Sequence, residues 1–527
     1  MREPLTHDVD IAIVGSGFSG SLLAMIARRL GRSVVLLERG RHPRFAIGES
    51  STPLASLLLE EIARQYDLPR LLALGKYGTW RRAYPDVGCG LKRGFSFFRH
   101  EAGVPFAADP AHGDQLLVAA SPHDEVGDVH WYRPDFDHFL VREAVAMGVT
   151  YLDGVDVTSF EPDAGGARLE GRGLDVRARL VVDATGPRGF LHRALGLGER
   201  ELPGLPPTQT LFNHFTGVQR FAEVVPRAFD GVPPYAPDDA AVHHVFDGGW
   251  IWVLRFDNGI TSAGIAATEP LARELRLGEG APAWARAMAR FPSVGAQFAD
   301  ASATRDFTWW PRLSFYSDTI AGDGWVALPS AAGIVDPLLS TGFPLTLLGV
   351  QRVAAAIAEA WGSPLLGERL RSYAVRTAEE LETTSRLVGA LYDAFGDWER
   401  FAALSFLYFA AAGFAESARR LGNVALAGDA FLLGAHEPFA TDLDHCLRLA
   451  AELRERPSPS LRRALLDAVA GAIRPVNVAG LGDPARANWY PAAAADMLAA
   501  AAKLGASEAD VRAMLECCGF VPRSETL

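Results

Sequence analysis

Cysteine is scarce in this chain: four in 527 residues, at Cys89, Cys446, Cys517 and Cys518. Their spacing builds neither a disulfide framework nor a thiolate metal site, so a reducing cytoplasm is the expected setting and no metal is expected. Concentrated positive charge is also missing. The formal net charge is −12 and no long basic run occurs, which excludes the electrostatic footprint that nucleic acid requires. The opening residues, "MREPLTHDVD", lack an apolar stretch behind a basic start, so no secretory signal is expected. The most apolar segment, "GWVALPSAAGIVDPLLSTGFPLTLLGV", contains Asp336 and three prolines. It reads as buried strand, loop and helix, not as an integral membrane segment. Internal repeats and low-complexity tracts are absent as well.

What is present fits a folded α/β enzyme of two or three domains: 49% hydrophobic residues, 52 glycines and 33 prolines. A β-branched run from Val9 to Val14 stops at glycines, gives way to the helical pattern "SLLAMIARRLG", and is followed by a second strand, "SVVLLERG". This βαβ unit is the context in which a glycine fingerprint carries weight. Beyond about residue 85 the pattern breaks into short strands and loops, then resumes with the helix "FDHFLVREAVAMG" and the buried strand "LVVDATG". Residues 206–314 alternate apolar and polar positions with many aromatics, predicting an antiparallel sheet that forms a substrate layer. Residues 1–205 and 315–360 are then one discontinuous dinucleotide-binding domain, and residues 361–527, rich in Ala, Leu and Arg, a helical C-terminal region.

Within "GSGFSG", Gly15 permits the tight turn, Gly17 lets a pyrophosphate approach the backbone, and Gly20 lets helix and strand pack closely, with Phe18 and Ser19 opening the helix. Glu38, followed by Arg39, ends the second strand where a carboxylate reaches a ribose diol. The same unit serves FAD and NAD(P). The segment "LVVDATG", with Asp183 and Gly186, resembles the second cofactor motif of the glutathione-reductase-like flavoproteins.

Three further segments narrow that resemblance. "GESSTP" with Ser50, "RPDFDHFL" beginning at Arg133, and "IVDPLLSTGFPL" make the chain similar to the flavin-dependent halogenases and their monooxygenase and reductase relatives, over roughly residues 8 to 355. The resemblance implies a glutathione-reductase-like, Rossmann-type FAD-binding domain with an antiparallel β-sheet substrate domain and a helical C-terminal region. It also implies FAD delivered reduced by a separate flavin reductase, with chloride or bromide as co-substrate. In "CGLKRGFSFF", Lys92 stands five positions before Phe97, as a lysine does in the halogenases. Lys92 is thereby assigned to the tunnel between flavin and substrate, where it holds hypohalous acid. Desolvation suits that role, because burial lowers an amine's pKa. By the same resemblance Ser330 and Asp336 belong to the ribityl region, and Thr341 and Gly342 to the flavin edge or the halide. Phe97, Trp250, Trp252 and Leu339 are expected around the substrate.

Departures from the family pattern bear on the substrate. Tryptophan halogenases carry a glutamate before "STG" where this chain has Leu339, which shifts the expectation from free tryptophan to an activated phenol or pyrrole, free or tethered to an acyl carrier protein. The signature W-x-W-x-I-P is "WIWVLR" here, and a usual Gly-Asp pair is Pro329-Ser330. Those losses keep two alternatives open: an FAD-dependent monooxygenase or dehydrogenase on an apolar or aromatic compound, and a flavin-binding protein without turnover. His243 and His244, neighbours on a predicted strand, point to opposite faces and share no ligand.

Overall fold

The computed structural model describes residues 5–107, 109–163 and 165–520. The first four residues of "MREPLTHDVD" and the end of the C-terminal region, residues 521–527, lie outside them. The architecture rests on two large sheets. The first sheet places β1 (Leu5–Val14) at its centre, paired in parallel with β2 (Val34–Glu38) on one side and Leu174–Asp183 on the other. Thr150–Asp153 and Trp325–Ala327 extend it in parallel at the two flanks. All five residues of β2 are buried, as expected of a strand covered on both faces. Helix α1 (Phe18–Arg29) follows β1 with Gly17 at its N-cap. Gly15 adopts φ +102°, and a Cβ on Gly20 would stand 2.0 Å from the Gly15 carbonyl oxygen. Both glycines are therefore imposed by backbone geometry.

The second sheet contains the expected antiparallel strands Thr208–Thr216, Ala241–Phe246, Gly249–Arg255 and Thr261–Thr268, but it is wider than residues 206–314. Strands β4 (Gly94–Arg99) and β5 (Gln115–Ala119) join it from the first segment, β4 pairing in parallel with Ala241–Phe246. Trp489–Tyr490, from the helical C-terminal region, pairs with β5. Such non-local pairings leave no trace in local periodicity. Between the sheets lies a separate two-stranded ladder of β3 (Cys89–Lys92) and β6 (Asp128–Trp131), in which Lys92 faces Asp128.

Long helices cover this frame: Gly342–Ala360, Leu365–Tyr392, Trp398–Arg420, Glu437–Glu455 and Pro459–Ile473. Two segments, Leu338–Ala360 and Trp398–Arg420, are long and apolar enough to cross a membrane by length and composition. Both pack inside the fold, with 72% of each apolar window buried.

The glycine turn makes a direct prediction. Gly20→Ala forces α1 away from β1, and overpacking of this kind costs about 1–3 kcal/mol. Thermal unfolding at a lower temperature, together with a lower flavin content after purification, is the expected outcome.

Candidate active site

The groove above β1 and β2 is built around Glu38. Its Oε2 accepts from the Ser16 amide at 3.2 Å, the Ser16 hydroxyl at 2.9 Å and Arg44 at 3.2 Å, while Oε1 accepts from the Gly40 amide at 2.8 Å. Burial pushes this carboxyl up, but Arg44 and the donors from Gly40 and Ser16 outweigh it and hold it below its ordinary range. Around it, His42 Nδ1, Arg44 Nε and the Tyr151 hydroxyl are buried without a hydrogen-bond partner. Orphaned polar atoms beside a glycine turn fit the ribose and pyrophosphate of a dinucleotide. An added Cβ at Gly186 or Gly342 would meet nothing within 4 Å, so both backbones face open space. The residues present therefore fit FAD.

Not every predicted cofactor residue faces that groove. The Asp183 carboxylate is consumed by its own turn, accepting from Thr185 N and Oγ1 at 2.9 and 2.6 Å and from Leu191 N at 2.7 Å. Arg133 is buried between Asp137, bonded at 2.7 and 2.8 Å, and the carbonyls of Ile47 and Gly48, with its guanidinium over the Phe18 ring. Both shape the walls of the groove. Ser19 is buried in the first turn of α1, Arg39 is exposed, and Ser330 is half-buried in the short turn after Pro329.

The sequence "DPLLST" forms an uncommon turn. Leu339 and Ser340 both adopt left-handed backbone conformations, φ 64° and 56°, which non-glycine residues seldom sustain unless packing fixes them. Packing does fix them: Leu339 is fully buried, and Asp336 accepts from the Leu338 amide at 2.9 Å. The other Asp336 oxygen accepts from the Tyr392 hydroxyl at 2.9 Å, and Trp250 Nε1 donates to that hydroxyl at 3.0 Å. Burial raises the Asp336 carboxyl to about 7, Leu338, Tyr392 and Trp250 opposing it. The turn delivers buried Thr341 and exposed Gly342 to the start of the helix Gly342–Ala360.

Lys92 lies beneath this turn, fully buried. Its ammonium donates to Ser50 Oγ at 2.9 Å, Ser51 O at 2.5 Å and Ser340 Oγ at 3.5 Å, and sits 3.8 Å from the centroid of the Phe95 ring. Burial lowers the amine to about 7, against the opposing pull of Asp128. Lys92, Ser50 and the "STG" turn thus converge, although 248 residues separate Lys92 from Ser340.

Phe95 also lines a partly open cavity of about 130 Å³, shared with Tyr408, Phe409 and Leu481 of the helical region, with Lys76, Glu416 and Arg420 in its wall. The four residues expected around the substrate do not line it. Phe97 stacks on His243, which stacks in turn on Trp250; Trp252 donates to Ser262; Leu339 closes the turn. Alternation along the strand explains this, since Phe95 and Phe97 share a face but Phe95 alone reaches the end beside Lys92. His244 points to the opposite face, bonded to His100 and Gln297. Among the described residues no group of three or more His, Cys, Asp or Glu is arranged to hold a metal ion.

Comparison with known proteins agrees with this geometry. Residues 10–318 match the family model described as FAD dependent oxidoreductase. Monodechloroaminopyrrolnitrin halogenase PrnC of Pseudomonas fluorescens is 30% identical over 406 residues, covering 75% of this chain and 70% of its own. Tetracycline 7-halogenase of Kitasatospora aureofaciens is 32% identical over 348 residues, 64% of this chain and 61% of its own. A crystal structure of a point mutant of halogenase PltM in complex with FAD superposes with a TM-score of 0.81 at 23% identity, covering 91% of this chain and 99% of that one, which shows a shared fold. The chain belongs to the FAD-dependent oxidoreductases and, within them, to the flavin-dependent halogenases.

The Asp336 network yields a prediction with a defined sign. Tyr392→Phe leaves Asp336 and Trp250 each short of a partner, which costs about 1–3 kcal/mol. Because the Tyr392 hydroxyl favours the ionised carboxylate, the loss is larger at pH 8.5, above the raised pKa of Asp336, than at pH 5, below it. Thermal unfolding of the flavin-free protein at the two pH values reads the difference.

Proposed function

We propose that this enzyme halogenates a single-ring, electron-rich aromatic compound and that Lys92 is the residue that holds and aims the hypohalous acid. The observation that carries this reading is the amine itself. It is fully buried, lowered to about 7, and fixed by three oxygen acceptors beside the turn at Ser340. A surface role at a turn is incompatible with that burial.

Bound FAD, reduced by a separate flavin reductase, supplies the electrons with which oxygen and chloride or bromide yield hypohalous acid. The chain's own residues do the rest. The left-handed turn places Thr341 at the N-cap of the helix Gly342–Ala360, and the first amides of that helix would favour an anion such as the halide. The Lys92 ammonium gives up its long 3.5 Å contact to Ser340 and donates that hydrogen bond to the hypohalous oxygen, which polarises the oxygen–halogen bond toward the ring. The ring's C–H is replaced by C–halogen and water leaves. Phe95, Tyr408 and Phe409 present apolar surface to the cavity, which limits the water beside the oxidant and so its loss.

The cavity supports the substrate class. At about 130 Å³ it is near the ~150 Å³ of an apolar cavity that takes up benzene, which favours one ring with small substituents. Some named relatives take single rings: halogenase PltM was crystallised with phloroglucinol, and two relatives act on pyrrole-2-carbonyl groups held on a peptidyl carrier protein, whereas tetracycline 7-halogenase is named for a multi-ring substrate. A cytoplasmic setting suits a supply of reduced flavin.

The test uses FAD, a flavin reductase, NADH and oxygen with a panel of phenols and pyrroles, with halide present or omitted, and reads products by mass spectrometry. A halogen isotope pattern that requires added halide is expected. Lys92→Ala and Lys92→Arg both lower it at least about a hundredfold, since an arginine cannot shift its pKa to the same range, while flavin content stays constant. A product that gains oxygen without halide, and equally in Lys92→Ala, overturns the reading in favour of a monooxygenase.

A further inference from the structure

The sequence has only three lysines, Lys76, Lys92 and Lys503, among 51 basic Lys and Arg residues. Two of the three flank one carboxylate. Asp128 is the direct cross-strand partner of Lys92 in the β3–β6 ladder, so the two side chains leave the sheet on one side. It is 1% exposed, and neither carboxylate oxygen accepts a well-formed hydrogen bond. Lys76 Nζ stands 3.7 Å from Oδ1, and the Ser56 hydroxyl lies alongside. Ser56 in turn is 3.4 Å from the hydroxyl of Ser51, whose carbonyl accepts from Lys92.

Burial pushes the Asp128 carboxyl above its ordinary range, Lys76, Lys92 and the Ser56 hydroxyl opposing it, so a charge kept there is costly unless it is used. The three hydrogen-bond acceptors of Lys92 are all uncharged, two serine hydroxyls and a carbonyl. The other titratable groups facing it are His130 and His243, both lowered to about 3 by burial and therefore neutral around pH 7. Asp128 is faced by Lys92, by Lys76, by Glu416 on Trp398–Arg420 and by the Tyr408 phenol, which burial keeps protonated. Glu416 is itself paired with Arg420 at 2.7 Å. Lys76, Glu416 and Arg420 also line the cavity.

We propose that Asp128 is a positioning residue for Lys92: its carboxylate, held between Lys92 and Lys76, sets the charge of the Lys92 amine and links it to the charged wall of the substrate cavity. The inference rests on the reading of Lys92 as the halogenating residue. Lysine rather than arginine suits this arrangement, because only lysine changes charge within reach of neutral pH when its surroundings change.

Replacing the carboxylate by an uncharged group leaves burial unopposed, so the amine of Lys92 loses its proton at lower pH. An opposite charge at this range is worth about 1 pH unit or more. The test uses the FAD-loaded full chain, wild type, Asp128→Asn and Asp128→Ser, the serine variant guarding against poor folding of the first. Lysine labelled with 13C at Cε gives three NMR signals, and the Lys92 signal is the one missing in Lys92→Met. The expected result is an acid shift of its titration by about 1 unit or more in both variants, with the pH profile of halide-dependent product formation moving in the same direction. An unchanged Lys92 titration in both variants overturns the proposal, whatever their activity. An acid shift of the Lys92 signal in a protein whose wild type makes no halogenated product supports the Asp128–Lys92 coupling and removes the halogenase reading instead.

Discussion

A buried ammonium group must be hydrogen-bonded on all sides that water has left, and much of this structure is arranged to meet that demand at Lys92. Acceptors come from the segment "ESSTP", which lies along the edge of β6: Ser50 pairs with His130, the Ser51 amide donates to the Val129 carbonyl at 3.2 Å, and Trp131 donates to Glu49 O at 2.7 Å. At its end Thr52 caps α2 (Pro53–Gln65) by accepting from the Ala55 amide at 3.2 Å, with Pro53 at the first helical position. At its start Glu49 is fixed by His214, 2.8 Å away on the second sheet. One short stretch therefore ties the β3–β6 ladder to the second sheet while holding two oxygens against one amine. The remaining side of that amine is the face of Phe95, a cation–π contact whose value increases with desolvation.

The turn above Lys92 follows from the same demand. Two consecutive residues in the left-handed region persist only when their surroundings over-determine them. Asp336 holds the turn from within through Leu338, and Tyr392 holds Asp336 from a helix 56 residues further along the chain. The turn places Ser340 near Lys92 on one side and exposes Gly342 on the other. A single backbone irregularity thus connects the amine to the flavin groove, and relaxing it would separate the two.

Legibility in the sequence followed the range of the interactions. The βαβ unit, Glu38 at its end, the helix Arg133–Ala146 and the strand ending at Asp183 are fixed by neighbours within a few residues, so periodicity and glycine spacing located them. Lys92 was identifiable through its resemblance to the lysine that precedes an aromatic strand in the halogenases. Asp128 was not, since "EVGDVH" reads as an acidic loop until the ladder with β3 is known. Tyr392 and the cavity wall were hidden for a related reason: the C-terminal helices show the apolar spacing of any packed helix, and no local signal separates a residue facing a substrate from one facing the core. The width of the second sheet was missed because β4 finds its parallel partner in Ala241–Phe246, far along the chain.

These two kinds of legibility divide along a functional line. Residues that handle cofactor and oxidant must reproduce a fixed geometry around fixed chemistry, which confines them to short motifs in the first two thirds of the chain. Residues that line a cavity need only fill space and place a few charges, and those around the cavity beside Phe95 come largely from helices whose sequence is constrained chiefly by packing. Phe95 stands at the junction, presenting one surface to the Lys92 ammonium and another to the cavity. Its neighbours Lys92 and Tyr408 belong to opposite sides of the division. The reaction type is therefore legible in the motifs, whereas the shape of the cavity follows from the packing of Trp398–Arg420 against β4.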